Sequence, residues 1–273
     1  MALETRLRDT LLRLRRPDGG FSTSATGSSE LEPTAVATLA LGGDPPGRRW
    51  LEGRQRQDGS FRERDRPPHG PTSAALAALA LRGEPARRAL RYAVDRRSLP
   101  LPDARDPDLR GWGWTADTRS FVEPTSRVLI AVKRLTPRNG SVRSDATRLL
   151  EEWQCVDGGW NHGVASVLEA ELPGYAQTTA IALVALQGER RPFVRDAMRF
   201  LRRQWRREPG GLTVAQALIA FRLHGVRDEI GPARDALARL AEHPSLNERP
   251  LVLAWATLAT GADARLDALR VTA

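Results

Sequence analysis

The 273-residue sequence predicts an all-α protein in which six inner helices are ringed by six outer ones, an α6/α6 toroid. Three observations carry this. A turn of the form Asp-Gly-Gly/Ser-aromatic recurs as Asp18-Gly19-Gly20-Phe21, Asp58-Gly59-Ser60-Phe61 and Asp157-Gly158-Gly159-Trp160. Each copy precedes a threonine step, Pro33-Thr34, Pro71-Thr72 and Gln177-Thr178; a repeat at this spacing means stacked supersecondary units. Between the turns, arginine-rich amphipathic stretches alternate with mostly uncharged stretches of Ala, Leu and Val.

The outer elements have one wet face each. Leu7, Leu11 and Leu14 share a helical face, with Arg6, Arg8, Arg13 and Arg15 around them. Trp50 and Leu51 begin a shorter stretch, and the one-sided pattern returns over 86–97, 145–153, 193–206 and 232–241. The inner elements, 34–41, 72–81, 125–135, 178–186, 213–223 and 251–260, are apolar on nearly all sides and so need burial on nearly all sides. Proline before threonine suits the first helical position, where its missing N–H costs nothing. Gly42, Gly83, Gly188, Gly225 and Gly261 stand where a glycine after the last turn ends a helix. An open superhelical array is the alternative to a ring. Uneven unit lengths and an insertion over 98–110 favour closure. One domain over 1–273 is expected, with six helix-pair units at approximately 1–43, 44–84, 85–137, 138–189, 190–226 and 227–273.

The formal charge of +9 favours anionic partners, yet Lys133 is the sole lysine, and an arginine skew of this kind equally suits coding composition. It leaves peripheral contact with an anionic membrane open. Nucleic-acid binding is not expected, because no recognition motif or interleaved aromatic ribbon accompanies the arginines. The single Cys155 excludes an intramolecular disulfide and fits a reducing compartment. Residues 3–14 alternate leucine with charge, unlike a signal peptide, and no apolar run is long enough to span a bilayer. A cytoplasmic protein is expected.

The segments Gln55-x-x-Asp58-Gly59-Ser60-Phe61 and Gln154-x-x-Asp157-Gly158-Gly159-Trp160 resemble the QW-type repeat of squalene and oxidosqualene cyclases and of protein prenyltransferase β subunits. Arg15 replaces the glutamine in the first unit, the third offers Gly111-Trp112-Gly113-Trp114, and the fifth only Pro209-Gly210-Gly211-Leu212. In physical terms the Gln bonds to a neighbouring helix end, Asp-Gly makes the turn and the aromatic packs between helices, so these residues hold the fold together. The resemblance implies an isoprenoid-handling protein with its active site where the inner helices begin. Class II terpene cyclases carry their acid there in an Asp-x-Asp-Asp-Thr-Ala segment. The counterpart here is Glu30-Leu31-Glu32-Pro33-Thr34-Ala35, which puts Glu32 in the place of the proton-donating aspartate. Phe121-Val122-Glu123-Pro124-Thr125-Ser126 makes Glu123 its counterpart across the ring. Proline stands where the family motif has its last aspartate, in both segments. A helix start with an acidic residue complementing the dipole is the simpler reading of the same glutamates.

The resemblance therefore implies Glu32 and Glu123 as acid–base residues. It implies His69, Phe121, Tyr175, Gln177 and Trp255 as substrate contacts, since each lies on an inner element or a loop leading to its start. The implied ligand is a hydrophobic small molecule, an isoprenoid or another lipid. No cofactor is implied, and no metal: the zinc-binding Asp-x-Cys of prenyltransferases does not occur, and Cys155 with His162 lacks further ligands. A non-catalytic carrier or a protein-interaction scaffold of the same fold is the alternative, and a partner protein completing the site is compatible with either. The Gly-Cys-Gly-Glu-Gln segment of thioester domains does not occur.

Overall fold

The computed structural model describes residues 2–62, 70–100, 106, 109–115, 117–136, 140–163, 165–167 and 170–271. Fourteen helices and one two-stranded ribbon appear among them. In chain order the first seven helices are α1 (Leu3–Arg13), α2 (Leu31–Ala40), α3 (Pro45–Arg54), α4 (Pro71–Ala80), α5 (Gly83–Asp95), α6 (Val122–Leu135) and α7 (Gly140–Glu152). The short strands β1 (Ser166–Val167) and β2 (Ala170–Glu171) pair antiparallel. There follow α8 (Ala176–Ala185), α9 (Pro192–Gln204), α10 (Gly211–His224), α11 (Arg227–Leu240), α12 (Pro244–Asn247), α13 (Pro250–Thr260) and α14 (Asp263–Leu266). Among the described residues no helix is long and apolar enough to cross a membrane.

The uncharged stretches form the interior. In α2, α4, α8 and α13 almost every side chain is buried, including the polar Thr34, Thr72, Thr178, Thr257 and Thr260. Alanine explains how this is achieved: its small side chain lets two helix backbones approach, so faces that lack bulk still exclude water. These helices touch in cyclic order, α2 to α4, α4 to α6, α6 to α8, α8 to α10, α10 to α13, and α13 back to α2. Each amphipathic helix lies against one of them: α3 on α2, α5 on α4, α7 on α6, α9 on α8, α11 on α10 and α1 on α13. On α5 the inward residues are Ala86, Ala89, Leu90 and Ala93, while Arg87 and Arg91 face solvent. Each Leu fully buried in this way contributes about 1.5–3 kcal/mol.

Several boundaries differ from the sequence expectation. The helix expected to begin near Trp50 begins at Pro45, because Asp44 accepts the Gly47 N–H at 2.9 Å and so caps it five residues earlier. Pro33 and Pro124 occupy the third helical position rather than the first; its N–H also has no intrahelical partner, so the cost is equally small. Pro71 does stand first. The stretch expected to start at Pro232 starts at Arg227 and carries that proline inside. Gly225 ends α10 in the left-handed region, φ +71°, with the Val226 N–H returning to the Phe221 carbonyl at 2.9 Å. Gly261, by contrast, is extended, and Gly83 opens α5 instead of closing α4.

The helix ends opposite the turns are tied by buried polar side chains. Lys133 donates from Nζ to the carbonyls of Ala185 and Gln187, both at 3.0 Å, and pairs with Glu189 at 3.3 Å. It thereby satisfies the last carbonyl of α8 and one just beyond it, and its helix-end position is one that favours a cation.

Candidate functional site at the inner helix starts

The recurring turns are built alike. Asp18, Asp58 and Asp157 each accept the backbone N–H two residues on, at 3.1, 3.0 and 2.9 Å, and the intervening Gly19, Gly59 and Gly158 sit at φ near +90°. Phe21, Phe61 and Trp160 are then fully buried. Gln55 donates to the Pro85 carbonyl and Gln154 to that of Phe193, at 2.9 and 2.8 Å, so both reach the start of the next outer helix. Arg15 performs the same reach with its charge, pairing with Asp44 at the cap of α3.

A further bond sets the register of the inner helices. The backbone N–H of Phe21 donates to Thr34 Oγ1 at 2.9 Å, that of Trp112 to Thr125 Oγ1 at 3.1 Å, and that of Trp160 to Thr179 Oγ1 at 2.9 Å. The threonine equivalent to Thr34 is therefore Thr179, not Thr178. Two residues before it stand Glu32, Glu123 and Gln177, each the second residue of its helix. Gln177 thus shares a ring position with the two glutamates, which the Gln-Thr spacing had hidden. The same count from Thr72 reaches Gly70. A Cβ there would collide with the Trp114 carbonyl, so a glycine lets that segment run across the start of α4.

One cation draws the two glutamates together. Arg127 Nη2 lies 2.8 Å from Glu32 Oε1 and 2.5 Å from Glu123 Oε1. Glu123 and Arg127 meet because they are one turn apart on α6, and Glu32 approaches from α2. The Arg127 side chain is only 3% exposed, against 9% for Glu123 and 23% for Glu32. Burial alone would lower the arginine's pKa; Glu123 and Glu32 outweigh it and raise it, so the guanidinium is permanently charged. Its Nε and Nη1 have no hydrogen-bond partner among the described residues. The ring of Trp114 lies 5.7 Å from the guanidinium and is itself 41% exposed. Arg127 was not singled out in the sequence; its signal was an arginine one turn after Glu123, in the first half of an inner stretch whose other cations, Lys133 and Arg134, stand at its far end.

Around this cluster the structure places Phe121 as the residue capping α6, under the Arg119 guanidinium at 5.0 Å, and Tyr175 in the same place on α8. Tyr175 is exposed and meets His162 at 5.4 Å between ring centroids. The Val122 N–H donates to the His162 carbonyl at 3.2 Å, which ties that loop to the start of α6. Trp255 lies elsewhere, buried in the body of α13; its indole N–H, like the amide of buried Gln216 on α10, has no hydrogen-bond partner among the described residues. His69 lies outside the described residues. Among the described residues no group of three or more His, Cys, Asp or Glu side chains could hold a metal ion. Cys155 is buried within its own turn, and that burial pushes its thiol pKa up.

Chemically, the arrangement offers two carboxyl groups on one fixed cation, a neutral amide at the same level, and the aromatic faces of the partly exposed Trp114 and Tyr175. Such faces favour positive charge.

No family model matches the chain. Over 163 residues, 55% of this chain, it is 37% identical to the drimenyl diphosphate synthase of Streptomyces showdoensis. The chain spans 30% of the length of that relative. The type II terpene cyclase MstE from Scytonema, in its apo form, superposes with a TM-score of 0.57 over 88% of this chain and 77% of that one. At 16% identity that likeness concerns the fold alone.

Proposed function

We propose that this chain, terpene cyclase-like in its sequence and its all-α fold, handles a linear isoprenoid or its diphosphate at the inner helix starts and cyclises it. Its fold is read as a single α6/α6 toroid domain over 1–273, supported by the cyclic contact order of α2, α4, α6, α8, α10 and α13. The observation that carries the functional reading is the convergence of Glu32 and Glu123 on Arg127. Glu32, the more exposed of the two carboxyls, takes up a proton from solvent while Glu123 stays paired with Arg127, and gives that proton to a carbon of the substrate's double bond. The π pair forms the new C–H bond and leaves a cation on the more substituted carbon. A second double bond then closes the ring, and loss of a proton to a base ends the sequence. Trp114, Phe121 and Tyr175 face the charge as it moves, Gln177 contacts the substrate from α8, and Glu123 with Arg127 fixes the acid. A partner protein completing the mouth is compatible with this reading.

A carrier that binds an isoprenoid without turnover is the second reading. Pro33 and Pro124 favour it, since each stands where the family's acid motif carries a further aspartate.

The test is incubation with linear isoprenoids and their diphosphates, followed by mass-resolved chromatography of bound and released molecules. A cyclised isomer is expected, and Glu32→Gln is expected to cut its formation by at least about 100-fold with the melting curve unchanged. Full turnover in that variant overturns the assignment of Glu32. An unchanged molecule retained at one per chain establishes the carrier.

A further inference from the structure

A concave site lies at the ends of the inner helices away from Glu32 and Glu123. A cavity of about 460 Å³ opens between the last residues of α4 and α6 and the first turns of α5. Its floor is apolar: Leu81, Ala86 and Leu90 are each buried to about 5% exposure or less, and Leu135 at the edge is 37% exposed. Leu135 lies twelve residues beyond Glu123 on α6, about 18 Å along the axis, so this cleft is separate from the mouth.

Its rim is cationic. Arg82, Arg87 and Arg91 line the opening and are exposed. Glu84 holds two of them, Arg87 Nε at 2.7 Å and Arg91 Nη2 at 2.8 Å. Hydrogen bonds from Arg91 and Arg87 draw the Glu84 carboxyl down to about 2, so it remains an anion and keeps both guanidiniums over the cleft. Among the described residues that line the cleft or pair with its rim, three guanidiniums stand against this one carboxylate. Gly83, the first residue of α5, also lines the opening, and no side chain caps that helix. A helix start is the end that favours an anion.

An apolar floor of this size beside fixed cations matches one chemistry: a single hydrocarbon chain ending in an anionic group. We propose that this cleft binds a single-chain anionic amphiphile, of the alkyl or prenyl phosphate class, with its chain along Leu81, Leu90 and Leu135 and its head group among Arg82, Arg87 and Arg91. The site is independent of the Glu32 chemistry.

Titration calorimetry with dodecyl phosphate, below its micelle concentration, tests the proposal on the full chain. One molecule per chain is expected, with dodecanol and inorganic phosphate each weaker by about tenfold or more, because each lacks half of the ligand. The double variant Arg87→Ala/Arg91→Ala should lose about tenfold in affinity, whereas Arg195→Ala/Arg203→Ala, the same charge change on α9, should lose none. Ala86→Leu fills the cleft without adding polarity and should also abolish binding, with the melting curve confirming a folded protein. An equal loss in the α9 pair, inorganic phosphate binding as tightly as the amphiphile, or association with phosphatidylglycerol vesicles alone each overturns the proposal. Glu32→Gln should bind dodecyl phosphate normally. If it does not, the amphiphile sits at the mouth, and this inference fails while the cyclase reading stands.

Discussion

Arg127 is the residue on which the Glu32–Glu123 cluster depends. Its guanidinium is almost wholly buried and holds both Glu32 and Glu123. Removing the cation leaves Glu123 buried beside no partner, a change that costs about 3–5 kcal/mol in comparable pairs. Arg127→Leu should therefore shift the urea midpoint down strongly, and a wild-type midpoint would show that the pair contributes nothing to stability. His224 makes a different kind of prediction. Burial lowers its pKa, the Leu183 carbonyl at 2.7 Å opposes that shift, and nearby Lys133 adds to it. The unfolded chain then takes up a proton that the folded chain refuses, so stability falls as pH drops below about 6.5. Denaturation at pH 7.5 and 5.5 should show this loss, and His224→Gln should reduce it while still donating to Leu183. Equal losses in the two proteins would place the acid sensitivity elsewhere.

At the scale of an element, the recurring unit is an outer helix end, an aspartate-glycine turn, a buried aromatic and a threonine on the next inner helix. The aromatic packs, and its own backbone N–H is satisfied by that threonine. Thr34→Val keeps the shape and removes the acceptor, which leaves the buried Phe21 N–H unpaired. A loss of about 1–3 kcal/mol is expected in equilibrium unfolding. Thr38, also buried on α2, returns its hydroxyl to the Thr34 carbonyl at 2.7 Å, so Thr38→Val should cost less. An equal cost would mean that the turn N–H finds another acceptor. The turn residues were legible because aspartate, glycine and an aromatic at fixed offsets have few other uses. The threonine register was not, since Gln177-Thr178 and Thr178-Thr179 are equally good spacings until the Trp160 bond selects Thr179.

For the whole molecule, the contact order closes on itself through α13, which touches both α10 and α2 and carries α1 on its outer side. The two chain ends also meet through side chains: Arg265 pairs with Glu4 at 2.8 Å, and Arg6 donates to the Ala238 carbonyl at 3.0 Å. A closed arrangement differs from an open array in that neither end is dispensable. Ending the chain after residue 249 removes α13 and exposes the apolar sides of α2 and α10 together. Loss of the cooperative thermal transition is expected, and a retained sharp transition, at a merely lower temperature, would fit an open array instead.

The sequence by itself determined the helical class, the alternation of buried and amphipathic helices, and the glue turns. These follow from local periodicity and from turn chemistry, which depend on neighbours along the chain. It also pointed to Glu32 and Glu123, through a resemblance, without any means of knowing that one arginine joins them. Tertiary structure alone decided that the α2 and α6 carboxylates share Arg127, that Gln177 stands level with them, and that Gly70 makes room for Trp114. It alone opened a cationic cleft at the opposite helix ends. Each of these joins residues from different helices. Their spacing in sequence carries no distance; packing of the alanine-rich inner helices supplies it.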